Sequence, residues 1–274
     1  MVEQLEHDVL IVGGGLAGLR AAVEACKTAD VALISKAHPL RSDSGAARGG
    51  INAAIGRDDT WESHWLDTVK GGAYLADQDA CQVLSAEAPE NIYELEHMGV
   101  LFSRTPDGRI ATRPFGGEDR PRTCFVDDIT GRVLLQTLYE QVTKHAVRVY
   151  DELFVTDLIV VDDVCRGVVG MNLATGAYYA LRARAVILAT GGAGRAAAGT
   201  PRYARPRHGI AHNQLPASRA PSLHRRGQRR TAGAMILSRG NAYGREHRLP
   251  APARSVLRDA RGIVTPSAAR LLNR

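Results

Sequence analysis

Aromatic side chains supply only 5% of this 274-residue chain. The core must therefore be built from aliphatic residues, and a hydrophobic content of 45% is enough for one large domain or two ordinary ones. The four cysteines, Cys26, Cys81, Cys124 and Cys165, form no C-x-x-C pair, which argues against a zinc site or a redox dithiol. Single scattered cysteines suit a reducing compartment, where they act as small buried hydrophobes. No apolar run has the length of a bilayer span. Met1 to His7 is acidic and leads straight into a strand, unlike a signal peptide. These features together predict a cytoplasmic chain, with any membrane contact, at the inner face, made through partner subunits.

Lysine, phenylalanine and tryptophan are all missing from residues 196–274. That stretch holds 16 Arg and 15 Ala, with only Glu246 and Asp259 as acids, and so carries a net +14. Residues 1–195 hold 19 bases and 27 acids, a net −8. The two stretches are different electrical objects within a chain of net +6. In the tail, seven prolines interrupt Ala and Arg before an apolar face builds up. It shows no strand, βα unit or repeat, and a segment that buries so little apolar surface is expected to stay disordered. An out-of-frame reading of a GC-rich gene would give the same composition. A basic arm for nucleic acid is disfavoured, because the only aromatics are Tyr203 and Tyr243 and no recognition motif is present. The histidines His208, His212, His224 and His247 stand in patternless surroundings.

Residues 1–195 read quite differently. The run from His7 to Gly13 suits a central strand covered on both faces. An Ala-rich helix is expected from Leu19 to Thr28 and a second strand from Val31 to Ile34, which makes a βαβ unit. Ser35 to Gly56 is a long Ser, Gly and Ala-rich loop, and loops of that length are often functional. Helices are expected over Thr60–Val69, Asp77–His97 and Gly131–Lys144. Val147 to Asp163 alternates as one strand. Cys165–Leu173 and Ala177–Leu181 follow as partners in an antiparallel three-stranded insertion. Ala185–Thr190 then returns as a buried parallel strand ended by Gly191.

The chemistry is concentrated at Gly13-x-Gly15-x-x-Gly18, directly behind the first strand and opening a helix. The first glycine permits the turn, the second lets backbone approach a pyrophosphate, and the third lets helix and strand pack closely. Free N–H groups of the helix start then face the anion. The carboxylate usual after the second strand is replaced by Ser35 and Lys36, so this position alone leaves FAD and NAD open.

Further motifs follow in unbroken order. They are Ile34-Ser-Lys36, Arg41-Ser-Asp-Ser44, Gly49-Gly-Ile-Asn-Ala-Ala54 and Glu62-Ser-His-x-x-Asp67. Then come Phe115-Gly-Gly117, Arg122-Thr-Cys-Phe-Val-Asp-Asp-x-Thr-Gly131, Phe154-Val-x-Asp-Leu158 and Val186 to Arg195. Over roughly residues 6–195 the chain resembles the flavoprotein subunits of succinate dehydrogenase and fumarate reductase, in the FAD-dependent oxidoreductase 2 family. L-Aspartate oxidase shares the architecture, while Phe115-Gly-Gly117 is more similar to the dicarboxylate reductase branch.

The resemblance implies an α/β fold: a Rossmann-like FAD-binding domain with a parallel central sheet and the small antiparallel insertion. It places the FAD pyrophosphate on Gly13, Gly14, Gly15, Leu16, Ala17 and Gly18, and the adenosine on Ser35 and Lys36. Arg41, Ser42, Asp43, Ser44, Gly45, Ala47, Gly49 and Gly50 would wrap the flavin ring and ribityl chain. Phe154 and Val155 would lie beside the adenine, and Ala189, Thr190 and Gly191 would approach from the returning strand. Phe115 and Gly50 would border a pocket for a C4 dicarboxylate. Hydride would pass between that substrate and FAD, and electrons would pass to an iron–sulfur subunit and a membrane anchor.

Two departures qualify this. Many family members carry a histidine that links covalently to the flavin where this chain has Asp43, so FAD is expected to be held non-covalently. The family's Thr-Gly-Asp-Gly and His-Pro-Thr-Gly segments, its substrate-binding arginines and its capping domain have no counterpart after Arg195. The expected domain plan is therefore a partial FAD-binding domain over residues 1–195 and an unrelated tail over 196–274. The chain would be truncated and inactive as it stands, with no catalytic residue and no metal site. The alternatives are a non-catalytic FAD-binding fragment and an L-aspartate oxidase-like flavoprotein.

Overall fold

The computed structural model describes residues 3–115, 118–161, 164–191 and 235–238. The chain divides into two compact units. One is formed by residues 1–42 and 142–274, the other by residues 43–141.

The first unit is built on a seven-stranded sheet. Strand β1 (Glu3–Val12) leads through the glycine turn into helix α1 (Leu16–Ala25) and then strand β2 (Val31–Ile34). β1 pairs in parallel with β2, Val9 beside Val31 and Val12 beside Ile34. The sheet order also requires three later strands, β6 (Arg148–Tyr150), β7 (Leu153–Val161) and β8 (Val164–Asn172), together with β9 (Tyr178–Leu188). β6 joins β2 in parallel, and β9 joins the other edge of β1 in parallel. β7, β8 and β9 form an antiparallel meander. Residues 9–12 of β1 and Val31–Ile34 of β2 are continuous apolar runs because both their faces are covered, whereas β1 begins earlier than the sequence suggests, with the largely polar stretch 3–8. On one face Leu10, Val12, Ala32 and Ile34 pack with Leu153, Val155, Cys165, Val168, Leu181, Val186 and Leu188. Strand alternation turns Ile11 and Leu33 to the opposite face, and α1 packs on these same strands. Each fully buried Val, Leu or Ile among them stabilises the unit by about 1.5–3 kcal/mol.

Three sequence expectations change here. The segments expected as separate strands at 177–181 and 185–190 are one eleven-residue strand, β9. The polar Arg182-Ala183-Arg184 break looks like a turn, but both arginines face solvent while Leu181 and Val186 are buried. Conversely, the single strand expected over Val147–Asp163 is split into β6 and β7. The chain turns at Asp151-Glu152, where Glu152 takes a left-handed φ of 53°. Finally, the tail contains a strand after all: β10 (Met235–Ser238) pairs antiparallel with Ala185–Leu188 of β9. The other expectations for residues 196–274 lie outside the described residues.

The second unit begins with a 3-10 turn at Asp43–Ala46 and strand β3 (Ile51–Asn52). Helices α2 (Trp61–Gly71) and α3 (Gln78–His97) pack against each other. Their starts are fixed by side-chain caps: Thr60 accepts from the Ser63 amide at 3.2 Å and Asp77 from the Ala80 amide at 3.2 Å. Strands β4 (Thr112–Arg113) and β5 (Thr123–Cys124) complete a small antiparallel sheet in the order β3-β5-β4. Helix α4 (Thr130–Lys144) follows. Among the described residues, no helix is long and apolar enough to cross a membrane.

Candidate functional site

In the first unit the turn after β1 is packed against backbone at Gly13 and at Gly18. Gly13 has a φ of 121°, and a Cβ there would sit 2.2 Å from the Ala189 carbonyl oxygen. A Cβ on Gly18 would sit 1.8 Å from the Gly13 carbonyl oxygen. Only glycine fits either position. The turn is held by backbone bonds from the Gly13 amide to the Ile34 carbonyl and from the Ala189 amide to the Val12 carbonyl, both 2.8 Å. Helix α1 starts at Gly15 with no side-chain cap and no acidic residue in its first turn. Its positive end is therefore not countered by local negative charge.

The end of β2 supplies the neighbouring wall. Ser35 is buried, and a Cβ on Gly14 would lie 2.6 Å from its hydroxyl oxygen. Ser35 is fixed at both backbone groups: its amide donates to the Tyr150 carbonyl at 2.9 Å, and its carbonyl accepts from the Leu153 amide at 3.0 Å. Beyond it lies an open groove of about 200 Å³ lined by Lys36, His38, Arg41, Glu152 and Leu173. Glu152 therefore brings to the end of β2 the carboxylate that the sequence lacks directly after that strand. The signal is invisible locally, because Glu152 arrives from the turn between β6 and β7.

The second unit is organised by buried charge. Arg122 is fully buried and donates to Asp59 through both Nε and Nη2 at 2.9 Å, to Asp67 at 2.5 Å and to Ser63 at 3.1 Å. Burial opposes the Asp67 charge, but the hydrogen bonds from Arg122 and the Asp119 amide outweigh it and hold the carboxyl below its usual range. Burial also opposes the Arg122 charge, and the two carboxylates reverse that and raise its pKa. His64 is 3% exposed, and its Nδ1 has no partner among the described residues. Burial and the nearby Arg122 charge push its pKa down.

On the small sheet, Thr123 donates to the Asn52 side chain at 2.7 Å, and Asn52 donates to Glu118. Burial pushes the Glu118 carboxyl up. Arg113 donates to the Gly49 carbonyl at 2.6 Å and to the Arg48 carbonyl at 2.8 Å, with its guanidinium 4.4 Å above the Phe125 ring. The Phe115 ring approaches Gly49, 3.4 Å from where a Cβ there would lie. No group of metal-ligating side chains occurs among the described residues.

The FAD binding domain family matches residues 8–241. This chain belongs to that family. The FAD-binding chain is 47% identical over 194 residues to the fumarate reductase flavoprotein subunit of Mycobacterium tuberculosis, which covers 69% of this chain and 33% of that protein. It is 48% identical over 202 residues to the succinate dehydrogenase flavoprotein subunit of Rickettsia conorii, covering 70% and 34% respectively. Among solved structures it is similar to an E. coli quinol fumarate reductase flavoprotein, with a TM-score of 0.69 and 42% identity over 71% of this chain and 34% of that one. The chain thus spans about a third of the length of the relatives it matches.

Within the first unit of this FAD-binding chain, the structure brings Gly13, Gly14, Gly18, Ser35, Ala189 and Thr190 together, and places Lys36 and Arg41 on the adjoining groove. The absence of room for a Cβ at Gly13 and Gly18 fits a backbone cradle for a dinucleotide. Val155 lies in the core cluster, and its neighbour Phe154 turns the other way and is half-buried. Gly191 ends the described segment with a φ of 79°. In the second unit Asp43, Ser44, Gly45, Ala47, Gly49 and Gly50 form one loop, and the Ala47 carbonyl accepts from the Gly131 amide at 2.8 Å. Arg113, Glu118 and Glu152 were not legible as site residues. Each acts across more than sixty positions or sits in an ordinary-looking turn.

Proposed function

We propose that this chain is the flavin-holding part of a succinate dehydrogenase or fumarate reductase type oxidoreductase. The carrying observation is the glycine turn between β1 and α1, closed at Gly13 and Gly18 by backbone and at Gly14 by the Ser35 side chain so tightly that a Cβ at any of the three would clash. The α1 N-terminus and the turn amides would receive the pyrophosphate. Ser35, Lys36 and Glu152 would meet the adenosine, with the Glu152 carboxylate accepting from a ribose hydroxyl. Asp43 offers no stable link to the flavin methyl group, so attachment is non-covalent. FAD, when bound, supplies the hydride donor or acceptor, and the protein supplies orientation and charge. The dicarboxylate would lie beside Phe115 and Gly50. An iron–sulfur subunit and a membrane anchor would carry the electrons onward.

A second reading is an FAD-binding chain without dicarboxylate chemistry. An L-aspartate oxidase-like activity would rest on the same FAD cradle.

Titration of the purified chain with FAD tests the shared claim. Saturable flavin binding is expected, with all yellow colour released to the supernatant after acid precipitation. Folded protein that leaves FAD fluorescence unchanged would overturn the reading. Dye-coupled fumarate reduction by the loaded protein then separates the first reading from the second, and L-aspartate oxidation tests the third.

A further inference from the structure

The bonds around Arg113 fix more than a loop position. Its Nη2 donates to the carbonyl oxygens of both Arg48 and Gly49, at 2.8 and 2.6 Å, and its Nε donates to Gly49 at 3.2 Å. Successive carbonyls in an extended chain point to opposite sides. Two successive carbonyls on one guanidinium therefore require a bent backbone at Gly49, and Gly50 follows with a φ of 121°. There are no cis peptide bonds among the described residues. In a trans peptide the N–H points opposite to the C=O. The amide N–H groups of Gly49 and Gly50 must then both face away from Arg113.

Neither amide has an acceptor among the described residues. The ladder between β3 and β5 begins only at Ile51, which pairs with Cys124. Both glycines are half-buried, and Phe115 stands beside Gly49. Backbone donors with no acceptor in the protein are left to water or to a ligand. Two in succession, aimed the same way, make a concavity suited to an anionic or strongly polar oxygen.

We propose that Arg113 is a positioning residue that turns the Gly49 and Gly50 amides into a paired donor for such an oxygen. This rests on the flavin reading above and deepens it. The shared ligand chemistry is an oxygen acceptor, from either a flavin carbonyl or a substrate carboxylate. Phe125 keeps the guanidinium in place by stacking beneath it. The carbonyl bonds leave the charge of Arg113 on the far side of the peptide, so Arg113 acts through the backbone and does not touch the ligand.

The test uses the full chain as wild type, Arg113→Met and Arg113→Lys. FAD affinity is read by flavin fluorescence. Malonate affinity is read by perturbation of the flavin absorbance of the loaded protein. Amide hydrogen exchange at Gly49 and Gly50 is measured with and without each ligand. In wild type, FAD or malonate should slow exchange at both amides. In Arg113→Met, the affinity of the ligand that gives this protection should fall about tenfold or more, and the flavin absorbance should shift. Arg113→Lys should recover part of both, since one ammonium reaches one carbonyl and lacks the planar fork. A purely structural role would move the melting temperature and leave the flavin spectrum alone. Loss confined to FAD assigns the donor pair to a flavin oxygen, and loss confined to malonate assigns it to a carboxylate. Unchanged affinities in both variants, or exchange at Gly49 and Gly50 that neither ligand slows, would overturn the proposal. The wild-type exchange data stand even if a variant fails to fold. Wild type that binds no FAD sinks the flavin reading itself. The donor pair then stands or falls on malonate protection of the unloaded chain.

Discussion

The two units solve the same problem with opposite materials. Around the glycine turn of the first unit, the tightest approaches are backbone against backbone, Gly13 on Ala189 and Gly18 on Gly13. In the second unit the organising contacts are long side chains, with Arg122 holding Asp59 and Asp67, and Arg113 holding Arg48 and Gly49. A backbone cradle fails when anything is added to it. A charge-built loop fails when a partner is taken away. The difference predicts which substitutions each unit tolerates.

The largest effect is expected at Arg122. Methionine there would leave two carboxylates buried without a counter-charge, and breaking a buried pair in this way costs about 3–5 kcal/mol. Urea unfolding of Arg122→Met should show that loss. Combining it with Asp59→Asn and Asp67→Asn should recover much of the stability, because the isolated charges are gone. If the triple variant is as unstable as the single one, the arginine matters through packing, and the contrast between the units weakens.

Next is Gly18→Ala, the mirror experiment in the first unit. The added methyl must displace the Gly13 carbonyl, at an expected cost of about 1–3 kcal/mol. FAD binding should be lost while the second unit keeps its protection in hydrogen exchange. An alanine variant that binds FAD as wild type does would show that the turn yields without consequence for the cofactor.

This contrast also explains what was legible in the sequence. Gly13-x-Gly15-x-x-Gly18 can be read because its partners are adjacent in the chain and its rule concerns one residue type. The strands of the first unit followed from short apolar runs, whereas β9 was cut in two by Arg182 and Arg184, whose exposed alternation resembles a loop. The turn at Glu152 was missed because alternation reports which residues are buried and is silent on chain reversal. In the second unit Arg122 was legible only as the head of a motif, with no role, and Arg113 as an ordinary arginine. Their roles depend on carboxylates, for Arg122, and on backbone carbonyls, for Arg113, some sixty residues away. No local pattern encodes that distance.

A smaller, pH-dependent effect belongs to His64, which faces Arg122, Asp59 and Asp67. Its folded pKa is lowered by burial and by Arg122, so the unfolded chain takes up a proton first as pH falls. Stability is then complete above the unfolded value of about 6.5 and declines below it, with a slope of at most about 1.4 kcal/mol per pH unit. Asp67 has the same sign in a lower window: its contribution is present above about pH 4 and is lost on further acidification through its depressed folded value. Glu118 opposes both. Its raised folded pKa favours the folded state as pH falls toward its unfolded value of about 4.3. His64→Gln should flatten the decline between about pH 7 and 5.5 in urea unfolding, and Glu118→Gln should steepen the decline below it. A pH profile unchanged by His64→Gln would remove the histidine from the buried network.

The smallest effect costs no stability and samples both units at once. Burial pushes the Cys124 thiol up to about 12 in the second unit, and raises Cys165 in the first for the same reason. The thiolate is the reacting species, so at mildly alkaline pH both should be inert in the folded chain. Cys26 is half-buried while the other three are buried, so it is the most accessible of the four even though burial raises its pKa too. Iodoacetamide labelling at about pH 8 should therefore mark Cys26 first. Cys124 and Cys165 should appear only as their own units open, which makes them separate clocks. If the Arg122→Met variant exposes Cys124 long before Cys165, the two units unfold independently. Simultaneous labelling would mean that a charge lost in one unit opens the other as well, and the division into a backbone-built and a charge-built half would describe materials only, without separate stabilities.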